Sequence, residues 1–376
     1  MKVVTAVDSM KGSISSIEAN QIITKVFTEK GHIVKDIAIA DGGEGTVSAI
    51  VKNGDGQKIT AHVHALNGQL VTAEFGWFSA KKVAVIESAA ASGIQYLDGT
   101  KATHPLNTSS YGTGELILAA INHGAQTIII GLGGTGTVDG GMGLLSALGV
   151  EFFDQENQLL SAKGSQLAVV DHFSIEQVDV RLADVSFQIA SDVTSPLLGE
   201  TGAVYMFGQQ KGLAENELTN YEAGMKNYQE KICGGIESVA GDGAAGGIGF
   251  AVRVFLKGVI QSGFALISEQ TGLEKAIKEA DLVITGEGKM DDQSLQGKVP
   301  VGIGRIAKKY DVPVIAFVGS FDGVQQRFRE EGVSVIVPII DRITTLEQAM
   351  NEVEKNLQIT AKRTLDLLTL MGKKSI

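Results

Sequence analysis

The sequence is poor in cysteine, in positive charge and in long apolar runs. Its single cysteine, Cys233, excludes an intramolecular disulfide and a cysteine-based zinc cluster. Lys and Arg number 32 against 43 Asp and Glu, and this net charge of −11 disfavours a nucleic-acid or anionic-membrane partner. No apolar run approaches the roughly 20 residues of a membrane span. Because a strand is predicted at Val3–Val7 with no apolar leader before it, we expect a cytoplasmic protein with small-molecule partners.

Several catalytic signatures are also missing. The sequence has no G-x-x-x-x-G-K-[ST] phosphate loop, no H-R-D or D-F-G protein-kinase signature, and no G-x-S-x-G nucleophile elbow. These absences exclude a P-loop enzyme and a protein kinase, and they leave no familiar serine nucleophile.

Glycine, in contrast, is abundant, with 47 residues in the chain and seven between positions 131 and 143. This run follows the apolar segment Ile128–Ile130, which predicts a buried strand, and precedes apolar residues at helical spacing. Strand, bare backbone and helix start together favour an anion site on main-chain N–H groups. The residues predicted to bind nucleotide there are Gly133, Gly134, Thr135, Gly136 and Thr137, with Asp139 as a candidate metal ligand. The alternative is a tight strand–helix crossing, in which glycine only permits close packing.

The same run contains the dinucleotide pattern Gly131-x-Gly133-x-x-Gly136, with Asp154 near the expected acidic position. Gly241-x-Gly243-x-x-Gly246 satisfies this pattern too, so it is a weak signal in a glycine-rich chain. An NAD(P)-dependent oxidoreductase therefore stays an alternative, and a non-catalytic sensor of a small acid is another.

The N-terminal segment predicts a β-α-β unit whose two strands each end in an acidic turn. The first strand ends at Asp8, and Lys11 follows in the same turn. The second, predicted at Ile33–Ala40, ends in Asp41-Gly42-Gly43-Glu44. Functional residues of open α/β sheets collect at such carboxyl ends.

The middle of the chain changes period after about residue 60. Short alternating segments flank Asn67-Gly68, which predicts a β-hairpin. Further on, the apolar run Val185–Ala190 predicts a strand that ends near Asp192, our candidate for the general base. The glycine-rich stretch Gly241–Gly249 is a second candidate anion site.

The C-terminal third returns to regular strand–helix alternation. A strand predicted at Asp281–Thr285 is followed by a turn that contains Gly286, Glu287, Gly288, Asp291 and Ser294. We therefore predict an α/β protein of two α/β domains. Residues 1–60 and 275–376 would form a Rossmann-like parallel sheet built from both chain ends, and residues 61–274 a second α/β domain inserted between them.

Glycine-rich anion sites together with carboxylates at several strand ends are the groups that phosphoryl transfer needs. We assign catalysis to Asp192, Lys11, Asp8 and Asp41. In addition to the glycine run after the strand at Ile128–Ile130, we assign contacts with substrate or nucleotide to Gly42, Gly43, Glu44, Gly286, Glu287, Gly288 and Ser294. The candidate metal ligands are Asp139 and Asp291. Each acidic strand end alone is more often a turn or capping device.

At these residues the sequence resembles the bacterial glycerate kinase family, of the type that acts on the 2-hydroxyl. The motifs that carry the resemblance are VDSMKGS, ADGGEGT, GTGEL, GLGGTGTVDGG, SDVTSPLLG, GAAGG, ITGEGKMDDQS, GKVP and VGS, in family order from Val7 to Ser320. It implies transfer of a phosphoryl group from ATP to D-glycerate with Mg²⁺, with 2-phosphoglycerate favoured as the product, and it allows a homodimer. The sequence departs from the family pattern at Gly136, Val138, Ser191 and Ser195, which concerns fine specificity.

Overall fold

The computed structural model describes residues 1–372 and divides into two compact units. Unit 1 comprises Met1–Asp41, Ser48–Gly54 and residues 264–372, and unit 2 comprises Gly42–Val47 and Asp55–Gly263. The domain boundaries that the sequence predicts, at residues 60 and 275, stay a prediction. Within residues 1–372, none of the helices is long and apolar enough to cross a membrane.

The strands, in chain order, are β1 (Lys2–Val7), β2 (Ile33–Asp36), β3 (Gln57–His64), β4 (Leu70–Phe78), β5 (Val83–Glu87), β6 (Thr127–Gly131), β7 (Glu151–Phe153), β8 (His172–Ser174), β9 (Ser186–Ala190), β10 (Val259–Gln261), β11 (Leu282–Asp291), β12 (Val314–Asp322) and β13 (Val335–Pro338).

The α-helices are α1 (Ser16–Thr28), α2 (Thr46–Asn53), α3 (Ala89–Ser92), α4 (Tyr111–Asn122), α5 (Met142–Ala147), α6 (Ala203–Phe207), α7 (Leu218–Cys233), α8 (Ile248–Phe255), α9 (Gly263–Thr271), α10 (Leu273–Lys278), α11 (Val299–Lys308), α12 (Gln325–Glu330), α13 (Leu346–Asn351) and α14 (Val353–Gly372). Short 3₁₀ helices occur at Ile94–Tyr96, Lys101–Thr103, Gly164–Gln166, Val180–Asp184, Gln209–Lys211, Glu215–Glu217, Ala244–Gly247 and Asp292–Gln296.

Unit 1 contains a five-stranded sheet in the order β13-β12-β11-β1-β2, and every pair in it is parallel. Strand β1 lies between β11 and β2, and it is buried after its first residue, as its apolar sequence predicts. Helix α1 packs Ile23, Val26 and Phe27 into the core beside the sheet. The predicted α/β class, with a parallel sheet drawn from both ends of the chain, is confirmed.

Strands β11 and β12 run further than the sequence indicates. The sequence predicts strands at Asp281–Thr285 and, from the apolar run, at Val312–Val318, but β11 and β12 pair in parallel as far as Asp291 and Asp322. A bare-backbone contact permits this pairing, because a Cβ on Gly319 would lie 2.5 Å from the carbonyl oxygen of Gly288. The motif GEGKMD is therefore strand rather than turn.

Two other predicted elements differ in extent. Strand β2 ends at Asp36 rather than at Ala40, although Ile37 still donates a backbone hydrogen bond to Thr5 O. At the C-terminus, the sequence predicts one helix over Leu346–Leu370, whereas the structure has two helices, α13 and α14, which meet at Glu352.

Unit 2 contains a six-stranded sheet in the order β10-β9-β6-β5-β4-β3, in which β3 and β4 form an antiparallel hairpin. The hairpin predicted at Asn67-Gly68 is confirmed, and Gly68 adopts the left-handed φ of 84° that such a turn requires. Strands β5, β6, β9 and β10 are parallel. The carboxyl ends of β6 and β9 therefore lie side by side at Gly131 and Ala190.

Candidate active site

Asp8 lies in unit 1 at the carboxyl end of strand β1, which is paired on both sides. Its backbone N–H donates to Gly286 O over 2.9 Å, which continues the pairing with β11 by one residue. Its Oδ1 accepts a hydrogen bond of 2.7 Å from the N–H of Ser9. The turn that follows contains Lys11 and Gly12, whose φ of 76° lies in the left-handed region, before α1 begins. The turn thus holds Asp8 and Lys11 at the edge of the sheet.

Glu287 is brought beside Asp8 by strand register. Because Val7 pairs with Gly286 across β1 and β11, the next residue on each strand carries one of the two carboxylates. The hydroxyl of Ser294 donates to Oε1 of Glu287 over 2.7 Å. The pKa of Glu287 is raised to about 7, and burial is the largest cause of this rise.

Asp41 completes a group of three carboxylates at this edge. Lys11 Nζ lies 3.9 Å from Asp41 Oδ2, with the lysine largely exposed. Burial, and then the negative charges of Asp41 and Glu287, raise the pKa of Asp8 well above its ordinary value. The structure therefore concentrates negative charge at this edge, at an energetic cost that a bound cation would reduce.

These side chains line a cavity of about 460 Å³ in unit 1. Its lining residues are Asp8, Ser9, Met10, Lys11, Ser13, Asp41, Glu287, Gly288, Lys289, Lys298, Gly319, Ser320, Ile339, Ile340, Leu346, Ala349, Met350 and Val353. By chemistry the lining divides into a carboxylate- and lysine-bearing part, which we call the charged end, and an apolar part contributed by residues from Ile339 to Val353, which we call the apolar end. The cavity brings together Asp8, Lys11, Asp41, Glu287 and Gly288 of the sequence-predicted set.

The remaining predicted residues of β11 and its turn have structural contacts. Asp291 caps the 3₁₀ helix Asp292–Gln296 by accepting from Gln293 N over 3.1 Å, and it pairs with Lys289 Nζ at 3.0 Å. A Cβ on Gly286 would lie 2.0 Å from Phe317 O, so glycine allows the strands to approach there. The metal role of Asp291 and the binding role of Gly286 stay predictions.

In unit 2, the glycines of the Asp41-Gly42-Gly43-Glu44 motif pack against the ends of β6 and β9. A Cβ on Gly133 would lie 2.5 Å from Gly43 Cα, and one on Gly131 would lie 2.5 Å from Gly42 O. A Cβ on Gly42 would lie 2.9 Å from Ala190 O. Close backbone packing therefore accounts for these four glycines, while Glu44 is exposed. Ligand binding by Gly42, Gly43, Glu44 and Gly133 stays a prediction.

Most of the glycine-rich loop after β6 is buried. Gly134 is exposed, but Thr135, Gly136 and Thr137 are buried, and Thr137 Oγ1 has no hydrogen-bond partner among the described residues. Their predicted contacts with nucleotide are not tested by this geometry, which instead supports a packing role.

Asp139 is fully buried behind this loop. Its Oδ2 accepts from Ser110 N at 2.6 Å, from Ser110 Oγ at 2.8 Å and from Gly143 N at 3.2 Å, and its Oδ1 accepts from Gly141 N at 3.2 Å. Four donors thus hold this carboxylate in a structural position, and its metal role stays a prediction. Nearby, buried Lys211 donates to Thr137 O over 3.0 Å, and burial lowers the pKa of this lysine to about 8. No motif in the sequence points to Lys211.

Asp192 follows β9, as predicted, and its Oδ1 accepts a hydrogen bond of 3.1 Å from Gly263 N. The residue is half-buried in unit 2. Its assignment as the general base stays a prediction.

The loop geometry disfavours a nicotinamide cofactor. In a dinucleotide-binding turn the helix opens at the glycines themselves. Here β6 ends at Gly131 and α5 begins only at Met142, and α5 is six residues long.

Some cavity residues lay outside the predicted set. Lys289 and Ser320 lie within the extended strands β11 and β12, Ser9 follows Asp8, and Lys298 directly precedes α11. Proximity to the motifs was the available signal for these four residues. The apolar end, from Ile339 to Val353, carries no sequence signal of a site. Within residues 1–372, no group of three or more His, Cys, Asp or Glu side chains is arranged to hold a metal ion.

Comparison with known proteins decides the family, because residues 3–369 match the model of the glycerate kinase family. The chain belongs to the glycerate kinase family. The family resemblance inferred from the motifs is thereby confirmed, and the match covers both units. Membership of this family indicates a kinase.

Individual relatives of the glycerate kinase family agree with this assignment. The chain is 41% identical over 370 residues to a glycerate kinase of Bacillus cereus, covering 96% of each chain. It is 39% identical over 366 residues to the glycerate 2-kinase of Escherichia coli, covering 95% of each. A crystal structure from Salmonella typhimurium LT2, provisionally named glycerate kinase 2, matches with a TM-score of 0.85 at 35% identity and covers 99% of both chains.

Proposed function

We propose that the protein transfers the γ-phosphoryl group of ATP to the 2-hydroxyl of D-glycerate, giving 2-phosphoglycerate and ADP. The observation that carries the proposal is the cavity of unit 1, which combines three carboxylates with lysines at the carboxyl edge of a parallel sheet. Family membership supports the kinase class, and the Escherichia coli relative named glycerate 2-kinase supports the position of transfer.

The positive groups of the cavity suit anionic substrates. Lys11, Lys289 and Lys298 line it, and a phosphoryl group in transfer, or the carboxylate of glycerate, needs such charges. We assign Lys11 to the transferred phosphoryl group or the glycerate carboxylate, because its side chain is largely exposed at the charged end.

The carboxylates suit Mg²⁺, which prefers oxygen ligands and usually takes one or two from the protein, with waters and substrate phosphates completing its shell. Burial is the main cause of the raised pKa values of Asp8 and Glu287, and nearby carboxylates add to it. A divalent cation would stabilise the ionised carboxylates there. We propose Asp41 and Glu287 as the residues that would hold it. When bound, Mg²⁺ would neutralise charge on the ATP phosphates.

The proton of the reacting hydroxyl needs an acceptor. The sequence-based candidate is Asp192, with Asp8 and Asp41 in reserve. Asp8 gains support from its environment, since burial and its two acidic neighbours raise its pKa and make its carboxylate a stronger base. In a loose transition state the proton leaves late, so orientation of the hydroxyl matters as much as basicity.

The proposal also concerns the partners, the location and the oligomeric state of the protein. We infer that the partners are glycerate and ATP, without nucleic acid or membrane, that the protein acts in the cytoplasm, and that a homodimer is compatible with these roles.

A ligand panel tests the proposal. Release of ADP from Mg·ATP should require D-glycerate, and Mg·ATP should raise the melting temperature while NADH does not. Stabilisation by NADH alone would favour the oxidoreductase alternative. Binding of glycerate and ATP without ADP release would favour the sensor.

A further inference from the structure

The cavity of unit 1 has two chemically different ends, and only the charged end is used by the proposed chemistry. Asp8, Lys11 and Glu287 form the charged end, and Ile340, Leu346 and Met350 contribute to the apolar end. We propose that the apolar end binds the adenine base of ATP, with the phosphates at the charged end. This inference rests on the proposed function and assigns the nucleotide to the sheet edge of unit 1 rather than to the glycine-rich loop after β6.

The chemistry of the two substrates distinguishes them. Glycerate carries a carboxylate and two hydroxyls on three carbons, so it has no apolar face to bury, and burying its polar groups against aliphatic side chains would be unfavourable. ATP has a flat base at one end and phosphates at the other. Cavities of roughly 300–1,000 Å³ hold ligands of that size, and this one measures about 460 Å³.

The charged and apolar residues of the lining meet at the turn after β1. A Cβ on Gly12 would lie 2.9 Å from Met350 Cε, so the apolar wall begins at the turn that carries Lys11. Ile339 and Ile340 follow β13, whose neighbour β12 ends beside β11. Open parallel sheets bind nucleotides at this carboxyl edge. The thioether of Met350 is a polarizable group that packs well on an aromatic ring.

The test is the variant Met350→Gln, which keeps the length of the side chain and replaces its thioether with a polar amide. Met206→Gln makes the same change at an exposed methionine of unit 2 and serves as the control. Binding of a fluorescent ATP analogue labelled on the ribose is titrated without glycerate. Met350→Gln should raise its Kd about tenfold, as expected for a polar group set against the base, and Met206→Gln should leave it unchanged.

Inorganic tripolyphosphate separates base from phosphate, because it carries the phosphate charge alone. The constant for inhibition of ATP-analogue binding by tripolyphosphate should be the same for the parent and for Met350→Gln. The KM of Met350→Gln for glycerate should stay within about twofold of the parent's value. Equal weakening of ATP and tripolyphosphate, or a rise in the KM for glycerate with unchanged nucleotide binding, would overturn the proposal.

Leu346→Gln provides a second variant, since Leu346 is 77% exposed and the fold does not depend on its burial. If Met350→Gln melts below the assay temperature, the Kd of Leu346→Gln for the ATP analogue serves as the test instead. A Kd that is unchanged in both variants would overturn the proposal. Failure of the proposed function would be recognised separately, as a parent protein that binds the analogue but releases no ADP with glycerate.

Discussion

The hydroxyl of Ser294 donates a 2.7 Å hydrogen bond to Oε1 of Glu287. This bond favours the ionised carboxylate, whereas burial favours the protonated one and outweighs it, because the pKa of Glu287 still rises to about 7. Ser294 also accepts a hydrogen bond from Asp291 N over 3.2 Å. The turn after β11 therefore orients a carboxylate that changes charge near neutral pH.

Glu287→Gln should change how stability depends on pH. The folded pKa of about 7 exceeds the ordinary 4.5, so the stabilising contribution of Glu287 is complete below pH 4.5 and is lost as pH rises through 7. The variant should therefore be more stable than the parent at pH 8, by roughly 1–3 kcal/mol, and similar to it near pH 4.5. Denaturant unfolding across this pH range measures the difference, and Glu347→Gln on the exposed face of α13 is the control. A constant difference at all pH values would contradict the assignment.

Lys11→Ala should lower kcat/KM for glycerate by about 10²-fold or more, because the charge that meets the anionic substrate is lost. The melting temperature should hardly change, since Lys11 is largely exposed and its 3.9 Å pair with Asp41 contributes little. Lys362→Ala, at an exposed position of α14 in the same unit, is the matched control. Activity within a few-fold of the parent would rule out the role of Lys11.

Asp192→Asn and Asp8→Asn compare the two candidate bases. Each keeps the shape of the side chain and removes the acceptor charge. The variant of the true base should lose about 10²-fold or more in kcat with KM little changed, as general-base contributions are typically of that size. Asp8→Asn should in addition stabilise the protein at neutral pH, because burial and then the neighbouring carboxylates oppose ionisation of Asp8 and raise its pKa. Normal turnover by both folded variants would exclude both residues.

Much of the fold could be predicted from local sequence patterns. Apolar β-branched runs gave the central strands, and Asn67-Gly68 gave the hairpin, because each depends on neighbouring residues alone. The ends of β11 and β12 could not be predicted, since glycine and charge at 286–291 indicate a turn until β12 is present as a partner. Pairing in the tertiary structure overrides local preference there.

For the candidate site, the apolar pattern of β1 indicates its carboxyl end and therefore the place of Asp8 and Lys11. Asp41 and Glu287 are also in the predicted set and line the same cavity, but Asp41 lies beyond the end of β2 and Glu287 lies within β11. The burial of Thr137 and Asp139 was not visible, since it depends on Ser110 and Lys211, which are distant in sequence. A glycine-rich loop has the same local pattern whether its backbone faces a ligand or another backbone.

Gly133→Ala tests the packing role of that loop. The new Cβ would lie 2.5 Å from Gly43 Cα, so backbone must shift, and we expect a loss of about 2–4 kcal/mol in stability. Gly68→Ala is the control in the same unit, because its Cβ meets nothing within 4 Å and only the left-handed φ opposes it, at a cost of about 1 kcal/mol. Chemical denaturation measures both, and equal losses would show that the contact with Gly43 is unimportant.

The most direct measurement for the account as a whole is ³¹P NMR of the parent protein incubated with Mg·ATP and D-glycerate. Phosphoryl transfer to the 2-hydroxyl should replace the γ-phosphate signal by those of 2-phosphoglycerate and ADP in equal amounts, and the Lys11→Ala variant should form the same product far more slowly. A phosphoglycerate signal from the 3-position would contradict the assigned hydroxyl. No phosphoglycerate at all, with ATP intact, would contradict the proposed phosphoryl transfer.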